Sequence, residues 1–177
     1  MPRFRGAGMI CGYMAASADG YIADAGGGVG WLEAFNGVDT GYAGFIAGID
    51  TVVMGRKTYD QVIGFDVGWP YEGKRCVVVT SSPLTSRLGL PEVWSAGLPA
   101  LASELVEAKA WAVGGARLQA DLIRLGALDW LDLFVMPVFL GAGVPLFPSE
   151  GPPQALALQE QESFEGGIQR LRYAPRT

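Results

Sequence analysis

Three short apolar runs set the terms for what this chain can fold into. "TVVMGRKTY" begins at Thr51, "RCVVVTSSP" at Arg75 and "AWAVGGARL" at Ala110. Each reads as a strand that ends on small, hydroxyl-bearing or cationic residues. Helical patterns fall between such runs. Leu98, Leu101 and Leu105 line one face of a first helix, and Leu118, Leu122 and Leu125 line a second, with Asp121 and Arg124 pointing away. Gly126 is a stop signal for the second helix. Further strands are expected over 9–15 and 131–138. Strands alternating with helices imply an α/β fold with parallel strands and right-handed crossovers. The C-terminus differs, because the runs 155–161 and 168–173 flank "SFEGG", which suits a hairpin. The expected sheet is therefore mixed, parallel first and antiparallel at the end.

The glycine pair Gly114–Gly115 raises a sharper question. Two glycines where a strand hands over to a helix serve either a tight turn or a ligand that comes too close for a Cβ. The run at Thr51 has a comparable end. Gly55 is followed by Arg56, Lys57 and Thr58, with Thr58 a possible helix cap. An arginine and a lysine at a helix N-terminus suit an anion. Thr80, Ser81 and Ser82 follow the run that begins at Arg75. Three such ends along one edge of a sheet resemble a nucleotide-binding edge, which in open α/β sheets lies at the carboxyl ends of the strands. "GWPYEGKR" imitates a P-loop but places Arg75 where Ser or Thr belongs and precedes a strand. Neither GxSxG nor GxGxxG occurs.

Composition narrows the chemistry. The chain of 177 residues contains no histidine, which removes Ser-His and Cys-His nucleophile systems and histidine metal sites. Proton chemistry must rest on carboxylates, tyrosine, lysine or water. Cys11 and Cys76 sit in apolar runs and read as buried hydrophobes, and no metal site is expected. The net charge of -5 without a basic cluster argues against nucleic acid. No apolar run reaches a membrane span, and the opening "MPRFRGAG" does not read as a signal peptide. A single domain over 1–177, with 1–8 as a flexible N-terminus, and a cytoplasmic location are expected.

The segments "MAASADGYIAD", "DTVVMGRKTYDQV", "VVVTSSP" and "WAVGGARLQADLIRLGALDWLDLFVMPVFLGAGVPLF" occur in this order. Together they resemble the dihydrofolate-reductase-like superfamily. The resemblance is strongest to the C-terminal reductase domain of bacterial bifunctional riboflavin-biosynthesis deaminase-reductases, here in a stand-alone form. It covers Met9 to Phe147. It implies a three-layer αβα fold with a mixed, mostly parallel central sheet and a C-terminal antiparallel hairpin. It implies NADPH as hydride donor. Gly55, Arg56, Lys57 and Thr58 would meet the 2′-phosphate and pyrophosphate, and Thr80, Ser81 and Ser82 the 2′-phosphate side. Gly114, Gly115, Ala116, Arg117 and Leu118 would cradle the pyrophosphate, with a cis bond between the two glycines. Ala15 and Ile22 would border the nicotinamide.

The substrate side rests on "WLEAFNGVDTGYAGFIAGID", read as a helix from Trp31 to Asp50 in which Asp39 and Tyr42 share a face. Asp39 falls where folate reductases keep a carboxylate, so it is the candidate catalytic residue; a helix N-cap is the alternative role. Trp31 and Tyr42 are candidate substrate contacts, as are Ser17 and Asp19 of the "SADG" turn. The implied substrate is a pyrimidine or pteridine-like heterocycle, as in a 5-amino-6-(5-phosphoribosylamino)uracil reductase. The alternatives are a true dihydrofolate reductase and a non-catalytic nucleotide-binding homologue. The chain lacks the DPxLxxR run of riboflavin-pathway reductases and the Trp-x-x-Pro segment of folate reductases. "DWLDLFVMPVFLGAG", apolar on both faces and carrying Pro137, reads as an edge or bulged strand that a second copy covers, so a homodimer is expected.

Overall fold

The computed structural model describes residues 7–176. In chain order the elements are β1 (Met9–Ser17), β2 (Tyr21–Ala23), a 3₁₀ turn (Gly30–Phe35), α1 (Tyr42–Ala47), β3 (Thr51–Gly55), α2 (Arg56–Gly64), β4 (Arg75–Val79), β5 (Glu92–Trp94), α3 (Leu98–Glu104), β6 (Lys109–Gly114), α4 (Ala116–Leu125), β7 (Trp130–Met136), β8 (Val144–Pro145), β9 (Leu156–Ser163), a second 3₁₀ turn (Glu165–Gly167) and β10 (Gln169–Pro175). Eight strands form one sheet in the order β5-β4-β3-β6-β1-β7-β10-β9. The pairings from β5 to β7 are parallel; β10 runs antiparallel to both β7 and β9. The mixed sheet and its C-terminal hairpin are those expected from the strand pattern.

Alternation along the strands divides the core between the two faces. Ile10, Met14, Val53 and Val77 face α3 and α4, where they pack with Leu101, Leu105, Leu118 and Leu122. Cys11, Val52, Met54 and Trp111 face α2, where they pack with Tyr59 and Val62. The period of two in the strands and the Leu spacing in the helices therefore meet in one register. Cys11 and Cys76 are free and buried, and burial pushes both thiols up to about 12. Gly126 ends α4 at φ 69°, where its N–H bonds back to Ile123, as the stop signal implied. Among the described residues no helix is long and apolar enough to cross a membrane.

The structure departs from the sequence expectations in four places. The segment from Trp31 to Asp50 is not one helix. It is a 3₁₀ turn and a short α1, separated at Gly41, whose φ of 81° interrupts the helix. Asp39 therefore shares no helical face with Tyr42. Thr58 does not cap α2; the helix starts at Arg56, with Gly55 as its extended N-cap. Pro137 lies beyond the last residue of β7, which is paired on both sides by β1 and β10, so the edges of the sheet are β5 and β9. That removes the proline argument for a dimer. Finally, residues 1–6 of the N-terminus lie outside the described residues, but Ala7 and Gly8 are tied to Glu107 and Val106 by hydrogen bonds rather than loose.

Candidate nucleotide edge and substrate cavity

The carboxyl ends of β4, β3, β6, β1 and β7 lie side by side along one rim of the sheet. At its centre Gly55 lies beside the Gly114–Gly115 peptide, and a Cβ on Gly55 would stand in ordinary contact, 3.9 Å from both Gly114 O and Gly115 N. The Gly114–Gly115 bond is cis, as the resemblance implied. Gly114 has φ 150°, a conformation that L side chains rarely adopt. Gly55 and Gly115 are the N-caps of α2 and α4, and neither helix start receives a side-chain cap bond. Two sets of first-turn N–H groups thus open onto one gap, an arrangement suited to an anion. Thr58 Oγ1 lies between the two helix starts, 3.4 Å from where a Gly115 Cβ would be.

The other residues expected at this rim divide by orientation. Lys57 is exposed and joins no ion pair among the described residues. Arg56 donates from Nε to both oxygens of Asp60, at 2.9 and 2.8 Å, and from Nη1 to Pro83 O at 2.8 Å. It braces the turn that carries Thr80, Ser81 and Ser82. Ser81 and Ser82 are exposed, and Thr80 Oγ1 accepts a bond from the Ser82 N–H. Leu118 is buried in the core, so it and Ala116 can offer only backbone to a ligand at the rim. Arg117 points outward to Glu150, 3.3 Å away. Ala15 packs in a cluster with Trp31, Phe134 and Ile168, whereas Ile22 packs against the core under α4.

The turn after β1 is held by its own polar residues. Ser17 Oγ donates to Asp19 Oδ1 at 2.7 Å, and the two Asp19 oxygens accept the Leu140 and Gly141 N–H groups at 3.1 and 2.8 Å. Partial desolvation opposes ionisation of Asp19, but these bonds outweigh it and hold the carboxyl below its usual range. Ser17 and Asp19 thus fasten the loop 18–20 to the loop after β7. Trp31 packs on the Phe134 cluster, and its Nε1 is buried without a hydrogen-bond partner among the described residues.

On the α2 face, Tyr13 of β1 opens a cavity of about 530 Å³. Its aromatic wall includes Tyr13, Phe45, Trp130 and Phe164. The Tyr13 and Phe45 rings stack at 4.3 Å, and Tyr42 stands 5.9 Å from Tyr13. Burial raises the Tyr13 and Tyr42 hydroxyls above the ordinary tyrosine value. Asp39, Thr40 and Gly41 form the rim. Asp39 Oδ1 accepts the Gly41 N–H at 2.9 Å, so the carboxylate fixes the turn before α1 and keeps Oδ2 free of any hydrogen bond from the described residues.

The cavity floor is ionic, and it was not expected from the sequence. Asp132, with its side chain only 2% exposed, takes both Arg172 Nε and Nη2 at 2.7 Å. Arg170 lies beside it, and the Arg172 guanidinium stacks 4.1 Å from the centroid of the Trp130 ring. The visible signals were one aspartate in the apolar run "WLDLF" and arginines at every second position of "QRLRY". Among the described residues no group of three or more His, Cys, Asp or Glu is placed to hold a metal.

This architecture is that of the dihydrofolate-reductase-like reductases. Within that class the chain belongs to the RibD C-terminal domain family, matching its profile over residues 9–169. It is 35% identical over 161 residues to YwjB, an uncharacterized protein of Bacillus subtilis (strain 168), with 89% of this chain and 92% of YwjB aligned. A solved structure from Shewanella sp. PV-4, named provisionally for riboflavin biosynthesis, superposes with a TM-score of 0.82 at 25% identity, covering 96% of this chain and 99% of that one. A pyrimidine reductase-like protein from Corynebacterium diphtheriae shares the fold, with a TM-score of 0.69 at 14% identity over 96% and 92% of the two chains.

Proposed function

We propose that the protein is an NADPH-dependent reductase that reduces a planar pyrimidine- or pteridine-like heterocycle. The observation that carries this reading is the convergence of two uncapped helix starts on the gap between Gly55 and the Gly114–Gly115 peptide. A Cβ at either glycine would take space that a diphosphate needs, and the N–H groups of α2 and α4 supply its hydrogen bonds. Lys57, Ser81 and Ser82 supply donors for a 2′-phosphate, and Arg56 adds its charge while bracing their turn. Bound there, NADPH supplies a hydride from its nicotinamide.

The chain's own part is to orient the heterocycle and handle a proton. The rings of Tyr13, Phe45, Trp130 and Phe164 fit a flat, aromatic substrate. Tyr13 sits on the same face of β1 as Ala15 and Ser17, which follow it toward the rim; on β1 the cavity itself is lined by Met9 and Tyr13. Asp39 Oδ2 at the mouth accepts an N–H of the ring and holds or returns a proton at that nitrogen. A cytoplasmic setting and a homodimer belong to the same proposal. The test is anaerobic NADPH oxidation followed by absorbance against a panel of aminopyrimidines and pterins. Oxidation that depends on one of these heterocycles supports the reading. Tight NADPH binding with no oxidation by any of them replaces it with a non-catalytic nucleotide-binding role.

A further inference from the structure

The hydroxyl-bearing end of the rim belongs to a long connection. β4 and β5 run parallel, so residues 80–91 must carry the chain back along the edge of the sheet, and they do so without a regular element. Hydrogen bonds within this connection are local: the Leu88 N–H reaches Ser86 Oγ at 3.1 Å, and the Leu90 N–H reaches Arg87 O at 2.9 Å. Among the described residues, the hydrogen bonds that tie 83–88 to the rest of the fold all come from α2. Arg56 Nη1 donates to Pro83 O at 2.8 Å. One turn further on, Tyr59 Oη donates to Leu88 O at 2.8 Å, with Ser86 O 3.3 Å away. Arg56 and Tyr59 lie three apart and so share a face of the helix. Tyr59 is fully buried, and its ring belongs to the core with Met54 and Val62, which holds the hydroxyl at a fixed point. Further along, Gly89 rests on the Trp69 ring, so closely that a Cβ there would overlap it.

We propose that Tyr59 is a positioning residue for the 2′-phosphate of NADPH. This rests on the reading of the rim as a dinucleotide site. Lys57 is carried by α2 itself, whereas Ser81 and Ser82 are carried by the connection. The three reach one phosphate together only if the connection keeps a fixed place against the helix. Arg56 fixes it directly after Ser82, but from the surface, with a guanidinium shared with Asp60. Tyr59 fixes it from within the core, where a hydrogen bond meets little competition from water. Without the hydroxyl, the carbonyls of Ser86 and Leu88 lose their donor among the described residues and must turn elsewhere for one. The serines then lose their place opposite Lys57. Donors held ready bind an anion without the entropy cost of first ordering a loop. A dinucleotide that lacks the 2′-phosphate makes no such demand, because its diphosphate is met by the first-turn N–H groups of α2 and α4.

Paired calorimetry of Tyr59→Phe with NADPH and with NADH tests the proposal. Phenylalanine keeps the ring and removes the hydroxyl. NADPH is expected to bind about tenfold more weakly, the loss of one bond to a charged group, while NADH binds as before. Hydrogen exchange of the ligand-free variant is expected to rise over 83–90 and to stay unchanged in α4. Gly89→Ala acts on the same connection from its other side: the methyl overlaps Trp69 and lifts the connection while Tyr59 stays intact. It too is expected to weaken NADPH selectively, and it carries the test if Tyr59→Phe does not fold. An NADPH-to-NADH preference that is unchanged in either variant overturns the proposal. So does an equal loss for both dinucleotides, the mark of a merely structural role. Equal affinities in the unaltered protein overturn the 2′-phosphate reading itself, and the proposal with it.

Discussion

Replacing Gly55 with alanine separates what the rim does for the fold from what it does for a ligand. Gly55 has φ −74° and ψ 165°, a conformation open to any residue. The new methyl would stand 3.9 Å from Gly114 O and Gly115 N, ordinary contact with nothing closer. Restricting the unfolded chain stabilises by about 0.4–1 kcal/mol. Alanine is a poorer N-cap than glycine, which costs about as much. The net change in stability should lie within about 1 kcal/mol, a Tm shift of no more than about 4 °C for a chain of this size. Ligand binding should respond differently. The methyl projects into the gap between the two helix starts and displaces a diphosphate from one or two N–H donors. Bonds to a charged group are each worth about 1.5–3 kcal/mol, so the Kd for NADPH should rise by roughly 10- to 100-fold. Fluorescence titration and thermal unfolding of the same preparation read both effects. Unchanged NADPH affinity, or a collapse of stability that accounts for any loss, refutes the reasoning.

Further expectations concern the other groups. Asp39→Asn keeps an oxygen for the Gly41 N–H, so the turn and NADPH binding should persist while turnover of an accepted heterocycle falls about 10²-fold; steady-state kinetics check this. Asp132→Ala strands the Arg172 guanidinium beside a largely buried site and should destabilise by about 3 kcal/mol or more in denaturant unfolding. Asp19 has a lowered folded-state pKa, so its contribution is full above the unfolded value of about 4 and is lost as pH falls through the folded value. Acid unfolding should therefore begin at higher pH in the unaltered protein than the Asp19-independent remainder dictates, and Asp19→Asn should flatten the Tm profile in that low-pH window. Light scattering at micromolar concentration should give the mass of two chains.

The nucleotide rim was legible in the sequence because its parts are local. An apolar run, a glycine and a helical period lie within about ten residues at Gly55 and again at Gly114, and short-range pattern carries that information. The strands at Tyr21–Ala23, Glu92–Trp94 and Val144–Pro145 were not legible, since two or three residues are too few to show a period. The helix expected across Trp31 to Asp50 failed at Gly41, where a left-handed residue outweighs the apolar spacing on either side. Thr58 looked like a cap by residue type, but Gly55 adopted that role and left the threonine hydroxyl inside the gap. The cavity was the least legible feature. Tyr13, Asp39, Trp130 and Arg170 meet only through the order of β1, β7 and β10, and local periodicity contains no signal of that order. Asp132 in an apolar strand and the alternating Arg170 and Arg172 were its visible signals, since a buried carboxylate demands a cation from a neighbouring strand.

The central claim is a phosphorylated dinucleotide seated on the glycine rim, and its most direct test is a paired calorimetric titration with NADPH and NADH. Lys57, Ser81 and Ser82 are exposed there, with Arg56 beside them. The account predicts that NADPH binds at least about tenfold more tightly than NADH, a difference of about 1.4 kcal/mol. Equal affinities, or no binding of either dinucleotide, would contradict it.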